Sequence, residues 1–172
     1  MQQALPRFQP INRIDAKVTQ WLTRHSVSMV RISLGLVFLL FGVLKFMPDV
    51  SPAEEIAVRT TDALTLGIIE GDLARIFVAA METAIGLSLL TGRYLRVGMA
   101  LLGIAMVGVL SPLALFPADL FAGNYNAPTL AGQYVIKDIV LLTAALVVVL
   151  RQRGAELVIV PEDGAEPGER GR

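Results

Sequence analysis

The stretch RISLGLVFLLFGVLKF, residues 31–46, is apolar from Ile32 to Leu44 apart from one serine, and it carries a cation near each end. Extended to Met29–Met47, it supplies about the 20 mainly apolar residues that a helix needs to cross a hydrocarbon layer of ~30 Å. The chain then turns to MPDVSPAEE (47–55), where proline and acid end the apolar run. A lysine inside the end of such a run is expensive unless it reaches water or finds a partner.

Three more segments have the same character: Leu73–Leu90, Leu95–Phe116 and Tyr134–Leu150. Tyr134 and Arg151 anchor the ends of the last, shortest one at the interface. Over 172 residues, 54% are hydrophobic and only 17% charged, and the net charge is zero. The spacing predicts an all-α transmembrane four-helix bundle spanning 29–151, with residues 1–28 before it and a polar tail, 152–172, after it. A cleavable signal peptide fits poorly, because 28 residues precede the first apolar run and no A-x-A site follows it. There is no basic tract of the kind nucleic-acid binding needs. The chain has no cysteine and one histidine, His25. That excludes thiol–disulfide exchange, thiolate metal sites and bis-histidine haem ligation, so no metal site is expected.

Loop charges set an expected orientation. Arg7, Arg13, Lys17 and Arg24 precede the first span, Arg93 and Arg96 lie in the second loop, and Arg151 and Arg153 follow the last span. The first loop carries Asp49, Glu54, Glu55, Asp62, Glu70 and Asp72 against Arg59, and the third has Asp119 with no Lys or Arg. The positive-inside rule then puts both termini in the cytoplasm of a bacterial inner membrane. Residues 11–25 place Ile11, Ile14, Val18, Trp21 and Leu22 on one helical face, which predicts an interfacial amphipathic helix. In the first loop, Ser51-Pro52-Ala53-Glu54 reads as a capping box opening a short outer helix that stops near Gly67. That helix would be a lid or a structural cap.

A spacing of about 3.5 residues marks the inward seam of a left-handed bundle. It passes through Arg31, Gly35, Phe38, Gly42 and Lys45 in the first span, and through Arg75, Ala79, Glu82, Gly86 and Leu89 in the second. In the third it ends at Pro112, expected to bend that helix. Small residues at these positions let helices approach closely in lipid. The same seams carry Lys45 and Glu82, and the fourth span adds Lys137 and Asp138. Unpaired at the bilayer centre each charge costs about 2.5–3.5 kcal/mol, so a buried polar cluster in the outer half of the bundle is expected. Lys137 or Lys45 should meet Glu82, with Asp138 reaching the remaining lysine or a loop; Tyr134 is a further donor. Lys137 and Asp138 point about 100° apart, so both cannot aim at Glu82.

The stretches 31–46, SPAEE (51–55), METAIGLSLLTGRYLR (81–96) and PTLAGQYVIKDIVLL (128–142) resemble the DoxX-like group of small four-helix membrane proteins, including its YkgB/RclC-type relatives. Arg31, Gly35, Gly42, Lys45, Glu82, Gly86 and Gly92 carry the resemblance. It implies a place among subunits of quinone-linked oxidoreductases, such as thiosulfate:quinone oxidoreductase, or among membrane components of oxidative and reactive-chlorine stress. The absence of cysteine separates this chain from any thiol-based version of that chemistry.

Three functions stay open on the sequence. The first is an accessory subunit, without a catalytic set of its own, in a redox-stress or electron-transfer complex. The second is a subunit binding a quinone or small lipophile at Lys45, Glu82, Lys137, Asp138 and Tyr134. The third is a proton-coupled transporter or channel. The residues themselves point to no cofactor, and quinone is the one that the second reading admits. Lipid is the expected partner, together with other membrane or redox subunits; the oligomeric state is open.

Overall fold

The computed structural model describes residues 13–51 and 53–154. Arg7 and Ile11 at the N-terminus, Pro52 of the expected capping box, and the expected tail beyond Gly154 lie outside the described residues.

The first helix, α1 (Arg13–Leu44), runs 32 residues without a break. Neither Gly nor Pro occurs between Arg13 and Leu34, so nothing local interrupts the backbone ladder. The stretch expected as a separate interfacial helix therefore continues directly into the first span. His25 is accounted for locally: its ring stacks on Trp21 with centroids 4.7 Å apart, and Nδ1 lies 2.8 Å from the Trp21 carbonyl. At the other end α1 stops three residues before the expected Met47. Phe46 and Met47 donate to Val43 and Leu44, a tightened last turn before Pro48. Lys45 is thus in the turn that closes the helix, where a cation is favoured by the helix dipole.

Helix α2 (Glu54–Leu64) is the short outer helix, but the capping box does not form. Ala53 is the N-cap and makes no side-chain cap bond, and the buried Ser51 hydroxyl finds no protein partner. The Glu54 carboxylate turns away instead, accepting from Asp49 N at 3.1 Å and lying 3.6 Å from Arg75. Gly67, at φ 79°, closes the far end by donating to the Asp62 carbonyl at 3.0 Å.

The second span is α3 (Gly71–Thr91), terminated by Gly92 at φ 70°. Arg31 covers this end, donating to the Leu89 carbonyl at 2.7 Å. The third span comprises α4 (Leu95–Leu110) and α5 (Pro112–Leu115). Pro112 has no N–H and divides the two at Ser111, as its place in the seam suggested. A one-turn helix, α6 (Pro117–Leu120), and a 3-10 turn, Asn124–Asn126, lead to α7 (Leu130–Gln152). Thr129 caps α7, its hydroxyl accepting from Gly132 N at 3.1 Å.

Four helical segments are long and apolar enough to cross a membrane: Lys17–Leu44, Gly71–Thr91, Leu95–Leu115 and Leu130–Gln152. No strand occurs among the described residues. The α1/α3 pair sets the bundle. A Cβ on Gly42 would lie 2.6 Å from Thr83 N, and one on Gly86 would lie 2.5 Å from Leu39 N. Only hydrogen fits at these positions, so the two backbones run antiparallel in contact, with Gly35 opposite Leu89 and Leu90. The core around this pair contains Leu34, Phe38, Ile85, Leu89, Leu102, Ala105, Met106 and Ala145. A smaller cluster of Ile56, Leu120 and Val135 fixes α2 to α6 and α7.

Candidate functional site

The α1/α3 register decides where the charges meet. With Gly42 opposite Thr83, Lys45 stands about one turn beyond Glu82, which its four-carbon stem bridges. The ammonium reaches the Glu82 carboxylate at 2.6 Å, and both side chains are under a tenth exposed. Lys45 Nζ also lies 5.8 Å from the centroid of the Phe41 ring. Glu82 is one residue past the middle of the 21-residue α3. Measured against α1, however, Glu82 and Thr83 lie beside Gly42, two residues from the helix end, so the pair sits toward the end of the bundle that carries α2.

Arg75, two helical turns before Glu82, completes the arrangement. It is 9% exposed and donates to the carbonyls of Lys45 and Phe46 at 3.0 and 2.9 Å. It also holds Asp72 at 2.8 Å. The guanidinium thereby satisfies carbonyls of the turn that follows α1 and fixes the backbone that carries Lys45.

On α7 the two neighbouring charges separate. Asp138 shares a face with the buried Val135 and Ala145, is half-buried, and feels the charges of Glu82 and Lys45. It makes no hydrogen bond among the described residues, so the expected bond to a lysine or loop is absent. Lys137 points 100° away, is exposed, and rests 5.5 Å from the centre of the Tyr134 ring. It does not join the cluster. Asp138 lies roughly 12 Å along α7 from its start at Leu130.

These groups face a cavity of about 540 Å³ lined by all four spans and by α2, and open on the side of Phe77, Ile104 and Val107. Phe38, Phe41, Met81 and Met106 give it apolar walls, and Ile56, Thr60 and Leu64 come from α2, its roof. Lys45, Glu82, Tyr134 and Asp138 supply its polar end. The Thr60 hydroxyl donates to Ile56 O at 2.6 Å, which leaves its oxygen lone pairs as acceptors. The roof is held from outside by Arg59, which donates to Asp119 at 2.7 Å and lies 4.5 Å from the centroid of the Phe116 ring. That contact also puts the first and third loops at the same end of the bundle. The remaining seam residues, Arg31, Gly35, Gly42, Gly86 and Pro112, pack or cap and do not contribute polar groups to the cavity, although Pro112 lines it.

The DoxX family model matches residues 26–115, from inside α1 through α5. The chain belongs to the DoxX family. The match covers Lys45, Arg75 and Glu82 and ends before Asp138. Together with four apolar helices it makes this a multi-pass integral membrane protein of the DoxX type, in contact with lipid. No curated protein and no solved structure gives a significant match.

Arg75 is the residue whose role the sequence reading missed. It was already on the second seam, seven residues before Glu82, so its inward direction was legible. Its task was not, because that depends on α1 ending at Leu44.

Proposed function

We propose that this DoxX protein binds a small lipophile of the quinone class in the cavity beneath α2, and serves as an accessory subunit of a redox or oxidative-stress-linked complex. The observation that carries this reading is the cavity itself: apolar walls closing on a buried Lys45–Glu82 pair, with the carboxylate of Asp138 unbonded beside it. Ligand sites are typically concave and apolar with a few convergent polar groups, within about 300–1,000 Å³. A quinone ring fits this donor set. Lys45 Nζ would donate to one carbonyl oxygen of the ring, and Asp138 or Thr60 would accept from a hydroxyl of the reduced form. When bound, a quinone supplies two-electron, two-proton chemistry. The residues here hold the ring, exclude water and exchange protons with its oxygens, while electrons come from another subunit.

The charge asymmetry of the loops supports an inner-membrane orientation with both termini cytoplasmic, which puts α2 and the cavity in the outer half. Single cysteines introduced at Asp119 and Arg153 test this without background, since the chain has none of its own. A membrane-impermeant thiol reagent should label the first and not the second in intact cells.

Thermal unfolding of the purified protein with a series of quinones tests the ligand. A concentration-dependent rise in Tm, lost in Asp138→Asn with the fold intact, is the expected result. No shift in the wild type across several ring types would sink the reading. A protein that always purifies alone from native membranes in mild detergent would count against the accessory role.

A further inference from the structure

A second hollow, about 320 Å³, runs between α1 and α7 below the cavity. Met29, Val30, Ser33 and Leu34 line it from α1, and Val140 and Ala144 from α7. Val37 and Leu141 line both this groove and the upper cavity, so the two hollows are neighbours on either side of that pair. We infer that the two act as a single lipid site: a polar ring occupies the cavity, and a long isoprenoid chain passes between the Val37 and Leu141 side chains into the α1/α7 groove. This deepens the quinone-class reading and rests on it.

Path length and charge select the occupant. From Lys45 to Met29 is sixteen residues, roughly 24 Å along α1 at 1.5 Å per residue. One leaflet is only about 15 Å deep, half of a ~30 Å hydrocarbon core. A chain that follows the path from the polar end crosses the bilayer midplane, which a phospholipid acyl chain anchored at the interface does not. The groove offers one hydroxyl, Ser33, and no charge, which suits a hydrocarbon. At the head, one cation faces two carboxylates, Glu82 and Asp138, so an anionic head such as a fatty-acid carboxylate or a phosphate is repelled. A neutral ring that donates and accepts hydrogen bonds matches, joined to a polyisoprenoid tail. Ala144 is the smallest α7 side chain lining the groove and does not line the upper cavity, so a larger apolar residue there fills the groove without adding polarity.

The test uses the full-length protein in lipid nanodiscs and two photoreactive quinones. One carries a single isoprene unit, and the other a long isoprenoid chain with the reactive group at its end. The long probe should crosslink to residues 29–34 and 140–144, the short one to the cavity, each displaced by the unlabelled quinone. Ala144→Phe should cut labelling by the long probe about tenfold and leave the short probe unchanged. Crosslinks of the long probe to Phe77, Ile104 or Val107, or equal labelling of the variant, would overturn the tail assignment while the ring site stands. Stronger competition by a phospholipid or a fatty acid than by the quinone would overturn the head assignment. No specific labelling by either probe would remove the quinone reading and this inference with it.

Discussion

Replacing Lys45 with Met leaves the Glu82 carboxylate without its counter-ion near the middle of α3. A lone charge at the centre of a membrane helix costs about 2.5–3.5 kcal/mol on insertion scales. Breaking one side of a buried pair in a soluble protein costs about 3–5 kcal/mol. The two ranges overlap near 3 kcal/mol, which is the expected loss for Lys45→Met. Glu82→Leu strands the ammonium instead, but Lys45 stands at the end of α1 and can snorkel toward the interface, so its loss should be smaller, about 1–2 kcal/mol. The double variant Lys45→Met/Glu82→Leu removes both charges and fills similar volume, and should cost about 1 kcal/mol or less. The coupling is then about 3–5 kcal/mol, well above the ~0.6 kcal/mol average of interhelical hydrogen bonds in a membrane protein. Reversible unfolding in mixed micelles, followed by helical circular dichroism, measures all four corners of the cycle. A double variant as unstable as the sum of the single ones would refute the reasoning, because the two charges would then not be partners. If the double variant is stable but no longer shifts its Tm with quinone, the pair serves binding as well as packing.

Gly86→Val should destabilise by about 1–3 kcal/mol or more in the same assay, since its first methyl meets the Leu39 backbone, whereas Gly103→Ala, with open space around it, should be neutral or stabilise by up to about 1 kcal/mol. Arg75→Met should cost about 2–3 kcal/mol by orphaning the carbonyls of Lys45 and Phe46, and Arg75→Lys should rescue only part of it, because one ammonium cannot serve both carbonyls and Asp72 in the guanidinium geometry. Arg59→Ala breaks an ion pair that is 46% exposed on each side, so its effect on stability should be within about 1 kcal/mol, while quinone on- and off-rates measured by stopped flow should rise if α2 is the roof of the site.

Much of the bundle was legible because a membrane helix has so few ways to bury a charge. Gly35, Gly42 and Lys45 share one face at heptad spacing, as do Glu82 and Gly86, and the contact of these two faces follows once small residues mark both. The separation of Lys137 from Asp138 by 100° was also readable, but not which of them faces inward. That choice is made by the buried neighbours Val135 and Ala145 on α7, and apolar residues occur on every side of a membrane helix. The exact helix starts were less legible. Hydropathy marks where a helix meets hydrocarbon, while α3 and α7 begin at Gly71 and Leu130, among turn and cap residues that hydropathy does not register. The capping box failed where tertiary contacts overrode a local pattern: Glu54 serves Asp49 N and approaches Arg75 instead of its own helix end. The cavity had no sequence signature at all, because its roof is held by Ile56 against Leu120 and Val135, residues far apart in the chain.

The unbroken length of α1 has a mechanical meaning. Thirty-two residues make a rod about 48 Å long, against a hydrocarbon layer of ~30 Å, so several turns stand clear of it. With no glycine or proline between Arg13 and Leu34, the rod has no hinge in its first twenty residues. A partner that grips the face carrying Trp21 therefore holds a lever whose other end is Lys45. Rotation or tilt applied there would be felt at the ion pair and at Val37, on the same helix. Glycines placed at Ser26 and Ser28 would soften that lever and leave the cavity untouched. Unchanged quinone affinity in the isolated variant, together with lost activity in the assembled complex, would show the rod transmitting force; unchanged activity in the complex would show that it does not.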